Sequence, residues 1–599
     1  MNKLEKYKGL VYLFPILIIT FSLSFVVWIK KVSLSGIIFN AWTGESVTYN
    51  LFTYYRSLLI LVVAFIALFL LSLFAFENYS YYWNKINHNK KMSFLLLYLG
   101  MALVSALNST FYEIAIFGFV ERYEGILSII SYIIFFVSVY IIVQSEIQIK
   151  ALFIPLIISS TILSIIGIFQ YFGYDVLQWG VTNGLLLPEE LDYMRFNLIL
   201  PSTKNTIYMT LYNSNNVGSY MAMLFPISVG FYLYAKKKSS TIFFSLYSCL
   251  MFANWIGCRS RAGMVAGIVS ILFLLILMRP EWRKNKKRFL IIIPYILILL
   301  IMNNFSEGSL LRKVSTLNPQ VEQELSQTRY VPIQEMVFDE SSVQIITNEN
   351  TLAIEVHEGQ IYFKDQNDVD LDRYVTEDKY SFYDSRYSEY SFKTEQDDSI
   401  NLILLELRGM KINFYFDESG IYLIGNHNRL VNEIKKAPSI GFEGRERFGS
   451  GRGYVWSRTL PLLKETIWIG NGPDTLPFYF PQDDYIGKLN NFGKVNVVVD
   501  KPHNFYLQVA HDSGFISLIA LLLFFASYFI HSLRLYFFNK SESFIVNIGK
   551  IIMCSVLGYL IAAIFNDSVV YVAPYFWILL GAGFAVNYMV KYPEEVLSI

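Results

Sequence analysis

The stretch LLILVVAFIALFLLSLFAF, residues 58–76, carries no charge and matches the roughly 20 residues that a helix needs to cross a bilayer. Other uncharged stretches are Leu10–Trp28, Ile126–Val143 and Leu518–Ile530. Hydrophobic side chains make up 54% of the 599 residues and charged ones only 16%, a composition unlike that of a water-soluble protein. The sequence therefore predicts an α-helical polytopic membrane protein.

The apolar windows predict about twelve transmembrane helices. They begin near Leu10, Leu58, Met92, Ile126, Ala151, Asn216, Thr241, Gly263, Leu290, Gly514, Phe544 and Val570. Alternate connections hold most of the Lys and Arg residues, namely Met1–Lys8, Lys85–Lys91, Lys236–Lys238 and Arg279–Arg288. By the positive-inside rule, these connections and both termini lie in the cytoplasm of a multi-pass cell-membrane protein, with the Lys30-Lys31 pair as an exception on the outer side.

Three regions follow along the chain. Residues 1–302 and 514–599 form the membrane domain, and residues 303–513 form a large extracytoplasmic domain. Within the latter, alternating apolar residues at 352–363 and 412–423 surround the turns Glu358-Gly359 and Asp417–Gly420. Such a pattern is typical of antiparallel hairpins, and it predicts a small β-rich insertion over about 332–430.

Several classes of protein are disfavoured by charge and cysteine content. A net charge of +1 argues against a nucleic-acid partner, and three cysteines in or beside apolar spans make no disulfide framework or zinc site. Asp368-Val369-Asp370 resembles the acidic metal motif of nucleotide-sugar transferases, but it falls in an Asp-rich turn on the outer side, where nucleotide sugars are absent. We therefore predict no metal site.

Arginines on the outer side are the first candidates for chemistry. Arg122 stands just before the fourth predicted span, and Arg259 and Arg261 stand in a very short turn between two spans, where charge is costly. They are either ligand-binding groups or interfacial anchors whose stems reach toward headgroups. Gly263 and Gly267, four residues apart, predict close helix packing beside Arg261.

A second group of arginines lies among glycines. Arg445, Arg447 and Arg452 fall within the segment Glu443–Trp456, where glycines let backbone amides approach a ligand closely. The planar guanidinium suits pyrophosphate because it donates paired hydrogen bonds and keeps its proton. The segment is either an anion site or an ordinary solvated loop.

His503 and Asn504 follow Lys501-Pro502 near the end of the outer domain. Imidazole can accept a proton near neutral pH, so His503 is a candidate base for an acceptor hydroxyl. The alternative is a structural histidine, the role that we predict for His511.

His503-Asn504, nine residues and then Gly514 resembles the His-Asn motif of the O-antigen ligase and polymerase family, bacterial membrane enzymes that act on undecaprenyl-pyrophosphate-linked glycans. The family often has a second glycine three residues further on, where this chain has Ser517. Three other segments resemble the same family, namely Ser260–Gly263, Asn213–Gly218 and Gly451–Trp456 followed by Gly470–Gly472. The resemblance covers most of the membrane part and not the β-rich insertion.

The resemblance implies a metal-independent, inverting glycosyltransferase without a cofactor, working on the outer side of the cytoplasmic membrane. The donor is a glycan on undecaprenyl pyrophosphate, and the acceptor is a hydroxyl of another glycan, a lipid, a wall polymer or a protein. Arg261 and Arg452 are expected to bind the pyrophosphate and His503 to act as the base. The substrate-binding candidates are Arg122, Arg259, Arg445, Arg447 and Asn504.

Three alternatives stay open. The motifs do not separate a ligase from a polymerase. A transporter or flippase of lipid-linked glycans would need charged residues deep within several spans and internal symmetry, and neither is clear in the sequence. A membrane sensor with a glycan-binding domain would use the β-rich insertion as its receptor.

Overall fold

The computed structural model describes residues 3–41, 46–179, 186–195, 204–318, 332–376, 379–397, 400–539 and 543–594, with the single residues 182, 184, 321 and 541. The predicted cytoplasmic segment Met1–Lys8 and the predicted extracytoplasmic domain 303–513 therefore lie partly outside the described residues. The described α-helices are α1 (Lys3–Ser22), α2 (Gly36–Ala41), α3 (Thr53–Glu77), α4 (Tyr79–Asn87), α5 (Met92–Leu107), α6 (Tyr112–Phe117), α7 (Ile126–Ile142), α8 (Glu146–Tyr171), α9 (Ser214–Tyr234), α10 (Lys238–Gly257), α11 (Arg261–Leu277), α12 (Arg279–Lys284), α13 (Ile292–Phe305), α14 (Ser309–Ser315), α15 (Phe448–Leu462), α16 (Leu476–Tyr479), α17 (Tyr485–Phe492), α18 (Phe505–Ser513), α19 (Phe515–Tyr536), α20 (Phe544–Ala562) and α21 (Ala573–Lys591).

Among the described residues, eight helices are long and apolar enough to cross a membrane, or nine if the bent pair α4–α5 is one span. The eight are α3, α8, α9, α10, the segment Lys286–Phe305, α19, α20 and α21. Each of the twelve predicted windows falls on an apolar helix, but three of these helices are shorter, Gly9–Phe25, Ile126–Ile142 and Arg261–Leu277. At 1.5 Å per residue they measure about 26 Å, slightly less than the roughly 30 Å of bilayer hydrocarbon. The count of twelve spans is therefore not reached.

The helices divide into a buried centre and a periphery. α9 and α21 are buried along almost their whole length, whereas Lys286–Phe305 exposes large apolar side chains such as Ile296, Leu300 and Ile301. Apolar side chains on an outer helix are stable when they face lipid instead of water. These helices could therefore span a membrane, with α9 and α21 at the core of the bundle.

Two glycines let α9 and α11 touch. A Cβ atom on Gly263 would lie 2.6 Å from the Cα of Gly218, closer than real Cβ contacts come. Gly267 is similarly close to the indole of Trp255. The predicted small-residue packing of α11 is thus present, and it brings the first residues of α9 and α11 together.

The predicted β-rich insertion is present as two antiparallel sheets. The described strands are β1 (Ile29–Ser33), β2 (Val47–Leu51), β3 (Ile333–Phe338), β4 (Ser342–Thr347), β5 (Thr351–His357), β6 (Gln360–Lys364), β7 (Arg373–Thr376), β8 (Lys379–Phe382), β9 (Tyr390–Asp397), β10 (Ile400–Leu407), β11 (Met410–Asp417), β12 (Gly420–Ile424) and β13 (Leu430–Val431). Strands β3 to β6 form a four-stranded sheet in chain order, and β7 to β13 form a seven-stranded sheet in chain order. Both predicted hairpins are confirmed as β5–β6 and β11–β12.

The insertion is fastened to the rest of residues 303–513 through α17. Tyr485 and Leu489 of α17 belong to the same buried apolar cluster as the two sheets. Asn490 exchanges two hydrogen bonds of 2.8 Å with the backbone of Ile333, and the Lys411 amide donates to the carbonyl of Gly493. The short antiparallel pair β1–β2, which the sequence did not predict, lies between α1 and α3, where Lys30 stands over the ring of Tyr54.

Replacing Gly263 by alanine should destabilise the bundle, because the new Cβ would meet the backbone of Gly218. Overpacking of this kind costs about 1–3 kcal/mol. The measurement is the melting temperature of the purified protein in detergent. Gly100→Ala, in α5, is the control because nothing lies within 4 Å of its Cβ position. Equal melting temperatures for the two variants would contradict the close contact of α9 and α11.

Candidate functional site

His503 is held by a buried carboxylate from the connection between α20 and α21. Its Nδ1 atom lies 3.2 Å from Oδ2 of Asp567, and its side chain remains 42% exposed. Burial alone would raise the pKa of Asp567, but the hydrogen bond and charge of His503 outweigh it and hold that pKa at about 2. Asp567 is therefore a carboxylate at neutral pH, which orients the ring through Nδ1 and leaves Nε2 without a role in this contact.

Asn504 has a structural task. Its side-chain oxygen accepts hydrogen bonds from the amides of Tyr506 and Leu507, at 2.9 and 3.0 Å, and so caps the N-terminus of α18. Its own amide donates to Oδ1 of Asp567 at 3.1 Å. The predicted substrate-binding residue Asn504 thus positions His503 by fixing the helix start and the carboxylate.

Arg452 reaches the same connection from α15. Its Nε donates to the carbonyl of Phe565 at 2.7 Å, and its Nη2 donates to Oδ1 of Asn566 at 3.2 Å. The three residues that precede Arg452, Gly449 to Gly451, take left-handed backbone angles. The Gly449 carbonyl accepts a hydrogen bond from Nη1 of Arg452 at 2.7 Å. The glycines therefore form a tight turn that directs Arg452 toward Asn566, next to Asp567.

Arg261 meets this turn from the start of α11. Its Nη2 donates to the hydroxyl of Ser450 at 2.6 Å. Ser260, which precedes it, caps α11 and donates to the side chain of Asn215 at 3.2 Å. Asn215 is in turn linked to Asn566, whose side-chain amide donates to the Asn215 carbonyl at 3.4 Å.

Three of the four segments that carry the family resemblance contact one connection, Ala563–Ser568, and the fourth reaches it through Asn215. His503 and Arg452 do so as described. Asn566 donates to the carbonyl of Asn215 and, at 2.8 Å, to Ser219 at the start of α9. Ser260 is linked to this connection by its hydrogen bond to the side chain of Asn215. Trp456 of α15 also donates from its indole to the carbonyl of Pro502 at 2.8 Å. The structure thus brings Arg261, Arg452 and His503 into one cluster at one end of the bundle.

The remaining predicted arginines have other partners. Arg259 donates to Ser309 of α14 at 2.8 Å and lies over the ring of Tyr171. Arg447 donates to the carbonyl of Asn490, the residue that also holds the β-rich insertion. Arg445 is exposed, and its backbone carbonyl lies close to Gly453, 2.6 Å from where a Cβ would be. Arg259 and Arg447 therefore join elements around the cluster.

Arg122 is part of a buried polar network. Its guanidinium is ion-paired with the carboxylate of Asp474 and donates at 2.6 Å to the carbonyl of Asp500. Asp474 also accepts from the Phe119 amide at 2.6 Å. A buried arginine held by a buried carboxylate ties connections together, and breaking such a pair is strongly destabilising.

The predicted packing role of His511 agrees with its surroundings. His511 is fully buried, with Nδ1 2.9 Å from Asp512 and Nε2 3.1 Å from the side chain of Asn471. Gly514 has a φ of +97°, and a Cβ there would lie 2.9 Å from the carbonyl of Trp468. The Gly470–Gly472 and Gly514 parts of the motifs therefore pack against each other.

A cavity of about 330 Å³ adjoins the cluster. Its lining includes the polar residues Arg122, Glu121, Glu124, Asn213, Asn216, Asp500 and Lys501 and the aromatic residues Tyr49, Tyr212 and Tyr571. Lys501 lies two residues before His503, and the cavity residue Val569 lies two residues after Asp567. Cavity and cluster thus share two chain segments, although His503, Arg261 and Arg452 do not line the cavity.

Burial raises the pKa of both glutamates of this cavity to about 7. Glu124 accepts hydrogen bonds from Tyr132 at 2.7 Å and Ser568 at 3.3 Å, and Glu121 accepts from Thr48 at 3.1 Å. These bonds lower the two pKa values only in part. A carboxyl group with a pKa near 7 is suited to exchange protons with a ligand hydroxyl.

Sequence reasoning missed Asn566, Asp567 and the cavity glutamates. The signal that could have found the first two is the polar run Asn566-Asp567-Ser568 between two apolar helices, a costly place for an acid. Among the described residues, no group of three or more His, Cys, Asp or Glu could hold a metal ion. Asp368, of the acidic triplet, is ion-paired with Lys364.

Glu124 should make stability depend on pH. The folded protein keeps its proton up to about pH 7, whereas the unfolded chain loses it near the ordinary value of 4.5. The contribution of Glu124 to the free energy of unfolding is therefore fully present below pH 4.5 and is lost as the pH rises toward 7. We expect the melting temperature of Glu124→Gln to fall less than that of the unmodified protein between about pH 5 and pH 7. The exposed Glu113→Gln is the control, and an unchanged slope in Glu124→Gln would contradict the raised pKa.

Comparisons of the chain with family models, with curated proteins and with solved structures found no match.

Proposed function

We propose that this protein is a membrane glycosyltransferase of the O-antigen ligase or polymerase type, which transfers a glycan from undecaprenyl pyrophosphate to an acceptor hydroxyl on the outer side of the cytoplasmic membrane. The observation that carries the proposal is the contact of His503 with the buried Asp567, beside the contact of Arg452 with Asn566. A histidine oriented by a carboxylate and flanked by arginines is suited to deprotonate a hydroxyl next to an anionic leaving group.

His503 takes the part of the general base. Because the carboxylate of Asp567 accepts a hydrogen bond from Nδ1–H, the neutral ring has its lone pair on Nε2. In the proposed step, Nε2 takes the proton of the acceptor hydroxyl. At the same time the hydroxyl oxygen forms a bond to the anomeric carbon, from the face opposite the pyrophosphate. The C–O bond to the pyrophosphate breaks, and its electron pair leaves with the phosphate oxygen. The configuration at the anomeric carbon is thereby inverted.

Arg261 and Arg452 take the part of the pyrophosphate clamp. They come from α11 and α15 and meet at the Gly449–Gly451 turn, where Ser450 accepts from Arg261 and Gly449 accepts from Arg452. Positive charge fixed in advance stabilises negative charge that grows on the leaving oxygen. The exchange needs neither a metal nor a cofactor, because the pyrophosphate is already activated as a leaving group.

The adjoining cavity takes the part of the acceptor site. Tyrosine rings, amides and carboxyl groups together suit a sugar, which has apolar ring faces and many hydroxyls. Lys501 joins this cavity to His503 through two residues of chain. An acceptor bound there would lie next to the proposed base.

Removing the base or its carboxylate should abolish transfer. We expect His503→Ala and Asp567→Asn each to lower the rate by about a hundredfold or more, since a positioned base contributes that much. The assay gives purified full-length protein undecaprenyl-pyrophosphate oligosaccharide and sizes the product. His357→Ala, an exposed histidine of strand β5 that contacts Glu355, is the matched control. Normal product from His503→Ala, with an unchanged melting temperature, would refute the assignment.

The two proposed clamp arginines should differ from an exposed arginine in the same assay. Arg261→Ala and Arg452→Ala should each cost about a hundredfold in rate, and Arg452→Lys should recover only part of it, because an ammonium has charge but no planar fork. Arg312→Ala, an exposed arginine that donates to the Glu307 carbonyl, is the control. Full activity of both alanine variants would exclude the clamp.

The product also separates the remaining alternatives. A ladder of longer lipid-linked chains identifies a polymerase, and a glycan joined to a different acceptor identifies a ligase. A flippase would move the donor across vesicles without changing its size. A sensor would bind glycan through the β-rich insertion and be indifferent to His503→Ala.

A further inference from the structure

A second cavity, of about 410 Å³, lies at the end of the bundle opposite the candidate site. Helices α19 and α21 begin near the candidate site and end at this cavity, which Arg534 and Lys591 line from their last turns. His88 and Lys91 reach it from the bend between α4 and α5, and His531 from α19. Five basic or imidazole side chains from separate parts of the chain thus converge on one space.

The charge of this cavity is of one sign. No Asp or Glu lines it, and in the described part of the chain Lys91, Arg534 and Lys591 form no ion pair with an acid. Arginine and lysine at helix C-termini are favoured by the helix dipole, which accounts for Arg534 and Lys591 one at a time. It does not account for their meeting with Lys91 around an open space, because like charges repel unless an anion is bound between them.

Hydrogen-bond donors and apolar walls complete the cavity. Asn89 and Tyr592 lie at its polar side, and the ring of Tyr592 is 4.8 Å from that of His88. Ile530 and Phe584 supply apolar surface from α19 and α21. A basic pocket with apolar walls between helices is the chemistry that recognises a phosphate headgroup attached to acyl chains.

We propose that this basic cavity binds a phosphate group, carried by the headgroup of an anionic phospholipid of the leaflet opposite the candidate site. Lys91, Arg534 and Lys591 bind the phosphate oxygens, and Ile530 and Phe584 contact the first carbons of the acyl chains. By the positive-inside prediction, this is the cytoplasmic leaflet. The proposal is independent of the glycosyltransferase assignment, because none of its residues belongs to the cluster around Asp567.

Binding to purified full-length protein in a zwitterionic detergent tests the proposal. The probes are short-chain phosphatidylglycerol, short-chain phosphatidylcholine and inorganic phosphate, and the readouts are the dissociation constant and bound lipid by native mass spectrometry. The triple variant Lys91→Ala, Arg534→Ala, Lys591→Ala should bind phosphatidylglycerol about a hundredfold more weakly, since each basic residue near an anionic lipid contributes about fivefold. Phosphatidylcholine should bind weakly to all proteins.

A charge-matched control lies at the same end of the bundle. Arg283→Ala, Lys286→Ala, Lys287→Ala removes one arginine and two lysines that are exposed and do not line the cavity. It should bind phosphatidylglycerol within about threefold of the unmodified protein, since its residues do not touch the ligand. If the triple cavity variant weakens the binding of inorganic phosphate but not that of phosphatidylglycerol, the phosphate site is supported. The ligand is then a free phosphate anion, and the assignment to a lipid headgroup is overturned. Equal binding by both triple variants, or equal binding of the two lipids, overturns the proposal.

Discussion

The carboxylate of Asp567 is the constraint on which the candidate site depends. It is buried, it accepts from the ring of His503 and from the amide of Asn504, and it belongs to the connection that Arg452 also contacts. An uncompensated charge at this depth would be strongly unfavourable, so the 503–504 turn must return to the same place each time the protein folds. One carboxylate therefore sets both the start of α18 and the direction of the proposed base.

The arginines at the candidate-site end of the bundle differ in the groups that their side chains contact. Arg56 donates to three backbone carbonyls, of Val26, Ser24 and Thr210, and so joins two connections at the candidate-site end. Arg122 pairs with a buried carboxylate and joins two more. Arg261 and Arg452 instead meet at the Gly449–Gly451 turn, in which Ser450 is exposed, and the side chain of His503 in the same cluster is 42% exposed. The first two stabilise the frame, and the second two are placed where a substrate can reach.

Sequence patterns predicted the elements better than the contacts between them. Apolar windows located the described helices that could span a membrane because hydrophobicity is a local property, and period-two alternation located β5–β6 and β11–β12 for the same reason. Arg261, Arg452 and His503 were identified from their composition and motifs. Asp567 was not, since a single acid acquires its importance only when folding brings it to His503. Asn504 and Arg122 were predicted to bind substrate because a sequence does not reveal that a helix cap or a buried acid already uses their side chains.

The position of the β-rich insertion has a consequence for the site. The insertion is held by Asn490, whose side chain bonds Ile333 and whose carbonyl accepts from Arg447. Arg447 directly precedes α15, five residues before Arg452 and at the entrance to the left-handed turn. A force or ligand that shifts the insertion would therefore act first on the backbone that carries one half of the proposed pyrophosphate clamp. The two sheets and the turn before Arg452 are thus joined through Asn490 and Arg447.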